Sequence, residues 1–500
     1  MNKKIFILLI SLALLGSSCS DFLTVNEVNP NSASKVPAKL ILPAAINNIA
    51  RTMNNPDNNE FVYLWYGLWS ISSGYSQPSA LVQYRLLNSS YQNNFQESYT
   101  AAQNFTEIEK VTDPKELGYK AIAMTMKAYI LHTMVDLYGN VPYSEAFRTQ
   151  DGILKPKYDD QKAIYEDIVL KLDEAIKIIQ DLPVDATEIP ASSDIIFHGD
   201  MNLWAKFANT IKLRMLVHQS GMTGRDAYIK SAIATTASVG YLGAGEGALA
   251  NPGYLNSDGK MNPFYANYYK NDGTSVADGI TYHNAGKAAV AFLTDNADPR
   301  IGRFFNPYSG TSFAGNTLGI TDPAPLTASN TSKLGYQVGV KGTMIGTFDK
   351  SAPILTDFES LFIQAEAAQR GYITGSAKDF YNAAITQSFI YMGLTAAEAT
   401  TFLGTEKNAV NFDLAPNKIN LILAQKWASL NGINAFEIWT DYRRSGIPST
   451  LTFSADPNRA NAAPPVRLLY PQREISVNND NVVAVGEIDA FTSKIFWQNR

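Results

Sequence analysis

The sequence predicts a mainly α fold, built from helix pairs of the tetratricopeptide-like kind with a loop-rich elaboration set between helical blocks. Three observations carry this reading. Apolar residues recur at spacings of three and four over long stretches, and these stretches follow one another across short breaks containing Gly and Pro. Between about 220 and 350 the periodicity fades while Gly, Asn, Ser, Thr and Tyr crowd in. The helix pairs are interrupted and show no clean period, so residues 37–500 read as one composite domain.

Taken in order, Ala121, Met124, Ala128, Leu131, Val135 and Tyr138 form one apolar stripe, and Ile122, Met126, Tyr129 and Leu137 form a second. A helix striped twice is expected to be buried on two sides. Gly139-Asn140-Val141-Pro142 then turns the chain, and Ile164, Ile168, Leu172, Ala175 and Ile179 mark a second helix ending before Pro183. Further helices are expected at 200–219, 357–371, 377–391 and 417–430. The irregular 220–350 part is long for a mere connection, and such segments usually carry function.

The N-terminus has its own grammar. Lys3 and Lys4 precede an apolar run from Ile5 to Leu15, which closes on Gly16-Ser17-Ser18 before Cys19, the one cysteine of 500 residues. The run is too short for a permanent membrane span and fits a secretory signal. Residues 1–18 are therefore expected to be a lipoprotein signal peptide, Cys19 the lipidated residue, and 19–36, rich in Ser and Asn, a flexible tether. Two or more acyl chains suffice for stable anchoring. The remainder, 45% hydrophobic and 17% charged overall, contains no second apolar segment long enough to cross a membrane. Removing residues 1–18, which carry two lysines and no acid, takes the net charge from −5 to −7, and a nucleic-acid partner is excluded on that balance. With its sole cysteine at the lipid, the body has no disulfide and must be held by packing.

Catalytic motifs are thin. His132, His198, His218 and His283 are far apart in sequence and none has a metal-ligand neighbour at useful spacing, so each reads as a surface or core residue. Gly243-Ala244-Gly245-Glu246-Gly247 lacks both a preceding strand and the full dinucleotide fingerprint. Asn256-Ser257-Asp258-Gly259 and Asn271-Asp272-Gly273 resemble calcium loops only faintly and are better explained as turns; no cofactor is called for. Two function classes stay open on these residues alone: a binding protein, and a surface glycan-degrading enzyme on a helical scaffold, whose carboxylate separation a sequence cannot measure.

Aromatics are the strongest remaining signal, with 26 Tyr and 24 Phe. Phe61, Tyr63, Trp65, Tyr66, Trp69 and Tyr75 cluster first, followed by Tyr84-Arg85 and by Phe264-Tyr265-Ala266-Asn267-Tyr268-Tyr269. A pyranose presents C–H patches that stack on such rings, while amides and Arg satisfy its hydroxyls. Trp65 and Trp69, four apart, share one face if helical, and a stripe of that kind fits a core as well. The expected ligand site is an exposed arc of Trp65, Trp69, Tyr75, Gln77, Tyr84, Arg85, Asn267 and Tyr268.

Towards the C-terminus, Phe436-Glu437-Ile438-Trp439-Thr440-Asp441-Tyr442-Arg443-Arg444-Ser445-Gly446-Ile447-Pro448, preceded by Trp427, is followed by Pro465-Val466-Arg467-Leu468-Leu469-Tyr470-Pro471 and Glu474. With Asp136-Leu137-Tyr138-Gly139-Asn140-Val141-Pro142-Tyr143, Asp298-Pro299-Arg300 and Lys494-Ile495-Phe496-Trp497, this resembles the SusD/RagB family of nutrient-binding outer-membrane lipoproteins, in its second SusD-like type. The resemblance implies four tetratricopeptide-like helix pairs beneath a loop-rich ligand face, and a binder rather than an enzyme. It also implies capture of oligosaccharides or peptides at the cell surface for a SusC-like TonB-dependent barrel in the outer membrane. Ligand residues do not transfer by motif, and Trp439, Asp441, Arg443 and Arg444 are expected to serve core packing and buried ion pairs.

Overall fold

Long apolar-striped segments broken by Gly and Pro produce the helical scaffold, seen in a computed structural model that describes residues 36–498 apart from 277, 321–326, 328 and 336–341. The expected signal peptide of residues 1–18, Cys19 and the 19–35 part of the tether lie outside the described residues. The principal helices are α1 (Ala38–Met53), α2 (Pro56–Trp65), α3 (Asn93–Glu109), α4 (Leu117–Tyr138) and α5 (Gln161–Gln180). They continue with α6 (Met201–His218), α7 (Asp357–Gln369), α8 (Ala377–Tyr391), α9 (Lys418–Ser429) and α10 (Ala435–Ser445). These helices pack in layers, α1 on α3, α3 on α4, α4 on α5 and α5 on α6, while α7 packs on α8 and α9. Contact between α6 and α7 joins the two halves, and α10 lies against α2.

The two stripes of α4 have the expected consequence, since every residue from Ala128 to Tyr138 is buried. The helix stops at Gly139, whose left-handed φ of 75° suits only glycine well, and whose N–H closes on the Val135 carbonyl at 2.8 Å. Asp160 and Asp200 cap α5 and α6 by accepting two backbone N–H groups each. Such caps contribute about 1 kcal/mol apiece.

Charges are threaded through this core. Arg214 on α6 donates to Glu359 on α7 at 2.9 Å, and Lys426 on α9 meets Glu437 at 2.5 Å and Asp441 at 3.0 Å. Arg444 on α10 bridges Asp441 and Glu366, at 2.5 and 2.6 Å. Arg443 donates to the Asp136 and Val466 carbonyls, both at 2.7 Å, and Trp497 donates to the Asp136 carboxylate at 2.9 Å. Trp439, Asp441, Arg443 and Arg444 are all buried, so the motif that marks the family resemblance is scaffold.

The loop-rich part contains more order than periodicity alone shows. It holds the helices Asp226–Ala234 and Lys287–Asp295 and three strands of a four-stranded antiparallel sheet. The strands are β1 (Trp69–Ile71), β2 (His283–Ala285), β3 (Phe305–Asn306) and β4 (Lys333–Leu334), in the order β1-β2-β4-β3. Trp69 pairs with Ala285 and Ile71 with His283. Trp65 and Trp69 are thus not on one helix: α2 ends at Trp65, Gly67 takes a φ of +72°, and Trp69 opens β1. Directly behind, a Cβ on Gly286 would stand 2.1 Å from the Gly67 carbonyl oxygen. Only bare backbone allows this crossing, which locks the sheet to the end of α2.

Candidate ligand-binding site

The crossing at Gly67 and Gly286 brings the start of α2, the loop after β1 and the segment before β2 to one place. Asn55 caps α2, its Oδ1 accepting from the Asp57 N–H at 3.0 Å and from Asn267 Nδ2 at 3.0 Å. Glu60, one turn on, has Oε2 2.8 Å from His283 Nε2. After β1, the Ser72 N–H reaches the Tyr282 carbonyl at 2.8 Å, and the following loop presents Tyr75. The Tyr75 hydroxyl donates to Asp278 Oδ1 at 2.9 Å and also contacts the Thr281 hydroxyl. Asp278 is held at φ 64°, an uncommon conformation for a residue with a side chain, and the bond from Tyr75 helps to fix it there.

The upper surface of this shelf is aromatic. The Tyr75 and Tyr282 rings meet edge to face at 5.5 Å, and Tyr282 meets His283 at 4.8 Å. Tyr75, Gln77, Asn267, Thr281 and Tyr282 are half-buried, and Asp57 and Asp278 are exposed. Gln77 uses its amide N–H groups on the Ser72 and Tyr75 carbonyls, at 3.3 and 3.2 Å, while its Oε1 has no partner. Below lies a rigid floor: Trp69 packs on Tyr63 at 4.3 Å and on His283 at 5.1 Å, and its Nε1 donates to Asn431 at 2.8 Å.

The expected arc divides along this line. Trp65, Trp69, Tyr84 and Tyr268 are each no more than 2% exposed, and a ligand cannot stack on them. Trp65 is wedged between Phe61 and Trp439, with its N–H engaged by the Leu81 carbonyl; the Tyr84 hydroxyl accepts from the Ser454 N–H. Those four are corrected from rim to core. Tyr75, Gln77 and Asn267 come together at the shelf, whereas Arg85 is exposed elsewhere, tied to the Asn458 carbonyl at 3.3 Å. Sequence reasoning missed Tyr282, Asp278, Glu60 and Asp57. Tyr282-His283 following Asp278-Gly279 was the available signal, an aromatic pair just past a turn.

Electrostatically the shelf is acidic. Burial and the neighbouring Glu60 raise the Asp57 carboxyl, with His283 acting in the opposite sense. Burial and Glu60 also push the Tyr282 and Tyr268 hydroxyls up. No lysine or arginine contributes at Asp57, Tyr91, Tyr268 or Tyr282 among the described residues. The faint calcium loop at Asn271-Asp272-Gly273 is a turn in which Asp272 Oδ1 accepts from the Thr274 N–H and hydroxyl, at 2.8 and 2.6 Å. Larger concavities occur on the helical side, including a groove of about 690 Å³ between α3 and residues 471–477, but it contains no residue of the expected arc.

Residues 30–471 match the SusD-like family of the second type, described as starch-binding, associating with outer membrane. A chitin-binding protein superposes with a TM-score of 0.76 at 21% identity, covering 93% of this chain and 100% of that one. A SusD-like protein from Bacteroides thetaiotaomicron gives 0.74 at 21% identity, covering 93% and 99%. A SusD homologue from Bacteroides fragilis gives 0.72 at 20%, covering 92% and 100%. At these identities the likeness establishes the fold. Among curated proteins none matches in sequence.

Proposed function

We propose, on the premise that this chain belongs to the SusD-like family of starch-binding proteins associated with the outer membrane, that it captures oligosaccharides on the shelf formed by Tyr75, Gln77, Asn267 and Tyr282. The family is one of binding proteins, which removes the support for a glycan-degrading enzyme. One observation carries the site: two half-buried tyrosine rings meet edge to face beside the exposed Asp278 carboxylate, over a floor too well packed to yield. A pyranose needs such a combination, an apolar platform for its C–H face and a few fixed polar groups for its hydroxyls. Peptide is the second ligand class.

Delivery completes the proposal. Cys19 carries the lipid anchor, residues 19–36 form the tether, and the protein caps a SusC-like TonB-dependent barrel at the outer face of the outer membrane. Confinement by the anchor raises the effective concentration of lid and barrel, so a modest interface stays engaged while one edge swings. A lid hands over its cargo only if the ligand face looks into the lumen. The contact is therefore assigned to the loop-rich side at 220–350, with an interface above roughly 1,000 Å². The test has two arms. A glycan and peptide array on the purified protein, repeated with Tyr75→Ala and Tyr282→Ala, is expected to show glycan binding that both variants lose. Pull-down from detergent-solubilised outer membranes is expected to bring a TonB-dependent barrel, and its absence from the eluate refutes the capping role.

A further inference from the structure

We propose that the groove between α3 and residues 471–477 is a further glycan-binding site, one that takes a neutral, linear oligosaccharide and shares no lining residue with the shelf. Its first wall is a helix face. Gln92, Gln96, Tyr99 and Gln103 follow one another at spacings of four, three and four, so one side of α3 carries amides around a tyrosine. Tyr99 packs on Phe95 at 4.7 Å and lies 5.8 Å from Phe147, the last two ring planes 35° apart. Tyr99 and Phe147 are both half-buried. The groove they line holds about 690 Å³, within the range of small-ligand sites, about 300–1,000 Å³.

Phe147 supplies a second, independent observation. Its φ is 64°, a left-handed conformation that is an outlier for a bulky side chain. Such conformations persist only where neighbours over-determine them, and they cluster at functional sites. Here Asp159 Oδ2 accepts from the Tyr143 and Ser144 N–H groups, at 3.1 and 2.7 Å, and pins the turn that leads to Phe147. Lys127 Nζ, itself paired with Glu109 at 2.7 Å, stands 5.4 Å from the ring centroid. The ring is thereby set as a partition between the groove and a neighbouring concavity of about 420 Å³. The far wall is also fixed: Asn478 Nδ2 donates to the Pro156 carbonyl at 2.9 Å, Asn481 Nδ2 to the Lys155 carbonyl at 3.0 Å, and the Tyr158 hydroxyl to Glu474 at 2.9 Å. A groove held from both sides in this way is preformed.

The polar groups decide the ligand class. Among the described residues, the side chains of Gln92, Gln96, Asn104 and Arg473 make no hydrogen bond, so they are available to a ligand. An amide both donates and accepts, as a sugar hydroxyl does. The charged residues of the lining are Arg473 and Glu474, one of each sign, and nothing in that balance calls for an ionic group on the ligand. Pro142, Pro156 and Pro471 line the groove without a backbone N–H, so an extended peptide finds no main-chain donor at those positions. The half-buried Tyr99 and Phe147 rings add the platform for a sugar's C–H face that amides alone lack.

The test is calorimetric titration of the purified protein with neutral hexasaccharides of glucose, mannose, xylose and N-acetylglucosamine, with a hexauronate, and with a mixed-sequence decapeptide library. Each titration is repeated in Tyr282→Ala, which removes the shelf's contribution. At least one neutral hexasaccharide is expected to bind the Tyr282→Ala protein. Phe147→Gly takes away the ring and suits the φ of 64°, so the variant folds without added strain. In the Tyr282→Ala background it is expected to raise Kd about 5- to 150-fold, with base stacking on an aromatic ring as the analogue. Gln96→Ala, at an exposed position, is expected to raise it about 2- to 12-fold, the effect of one hydrogen bond. Three results overturn the groove site: hexasaccharide binding that neither variant weakens, tighter binding of the hexauronate or the peptides that both variants weaken, and loss of all hexasaccharide binding in Tyr282→Ala alone. The last of these leaves the shelf reading standing. Binding that Phe147→Gly abolishes and Tyr282→Ala leaves untouched upholds the groove and refutes the shelf, and failure of every hexasaccharide on the parent protein overturns both. A pull-down in which Phe147→Gly loses a membrane barrel while glycan binding is unchanged makes the groove a protein interface instead.

Discussion

Replacing Tyr282 with alanine is the most informative single perturbation, because the structure separates what the ring does for the ligand from what it does for the fold. Tyr282 is half-buried and makes two edge-to-face contacts, with Tyr75 at 5.5 Å and His283 at 4.8 Å. Contacts of this type contribute about 0.5–1.5 kcal/mol each beyond area burial, so the truncation is expected to cost about 1–3 kcal/mol of stability. Base stacking on an aromatic side chain, the nearest analogue for a sugar face on Tyr282, contributes about 1–3 kcal/mol. That corresponds to a rise in Kd of about 5- to 150-fold. Trp69→Ala is the control with the opposite signature. Trp69 is fully buried against Tyr63 and His283, and its loss strips the Asn431 side chain of its donor. A core tryptophan truncation costs about 3–5 kcal/mol of stability. Calorimetric titration and chemical denaturation on the same preparations read both quantities. If Tyr282→Ala binds like the parent protein, or if Trp69→Ala unfolds at unchanged denaturant, the division into rim and floor is wrong.

Glu437→Gln is expected to destabilise by about 3–5 kcal/mol in chemical denaturation, since it leaves Lys426 and its neighbours as buried charges without their shared partner. Acid stability follows from the same cluster. Burial opposes ionisation of Glu437 and Glu366, but Lys426, His218 and Arg214 around the first, and Arg444, Arg370 and Lys426 around the second, outweigh it and hold both below their ordinary 4.5. Their contribution is therefore complete above pH 4.5 and lost as pH falls below it, while Asp136 and Glu359, raised by burial, act in the opposite direction. Denaturant midpoints from pH 7 down to 3 are expected to fall below about pH 4.5, and less steeply in Glu366→Gln. Cys19→Ala is expected to abolish incorporation of labelled palmitate and to move the protein from the membrane to the soluble fraction; membrane retention of the variant refutes the anchor.

Helices were legible where the chain advertises a period. The stripes of α4 and α5 and the bounds of α8 follow from spacing alone, because an amphipathic segment has one way to bury its apolar face. The sheet was not legible. Its strands are two or three residues long, too short for alternation to register, and β1 pairs with β2 across more than two hundred positions. Their pairing depends on the backbone crossing at Gly67 and Gly286, which a sequence shows only as two glycines among 33.

The same physics explains why the arc expected from aromatic content divides into buried and half-buried side chains. A ring that a ligand is to touch must be held still, and in this fold it is held by other rings. Trp69 and Tyr63 steady His283, His283 steadies Tyr282, and Tyr282 meets Tyr75. Tryptophan, with the largest apolar surface, goes to the bottom of such a stack, where it excludes most water. Tyrosine, with one polar atom, goes to the top, where its hydroxyl finds partners such as Asp278 and Thr281. A dense aromatic run therefore marks the pedestal of the proposed shelf. The residues at its rim are those beside turns and polar partners, and that order, tryptophan below and tyrosine above, is what separates Tyr75 and Tyr282 from Trp65 and Trp69.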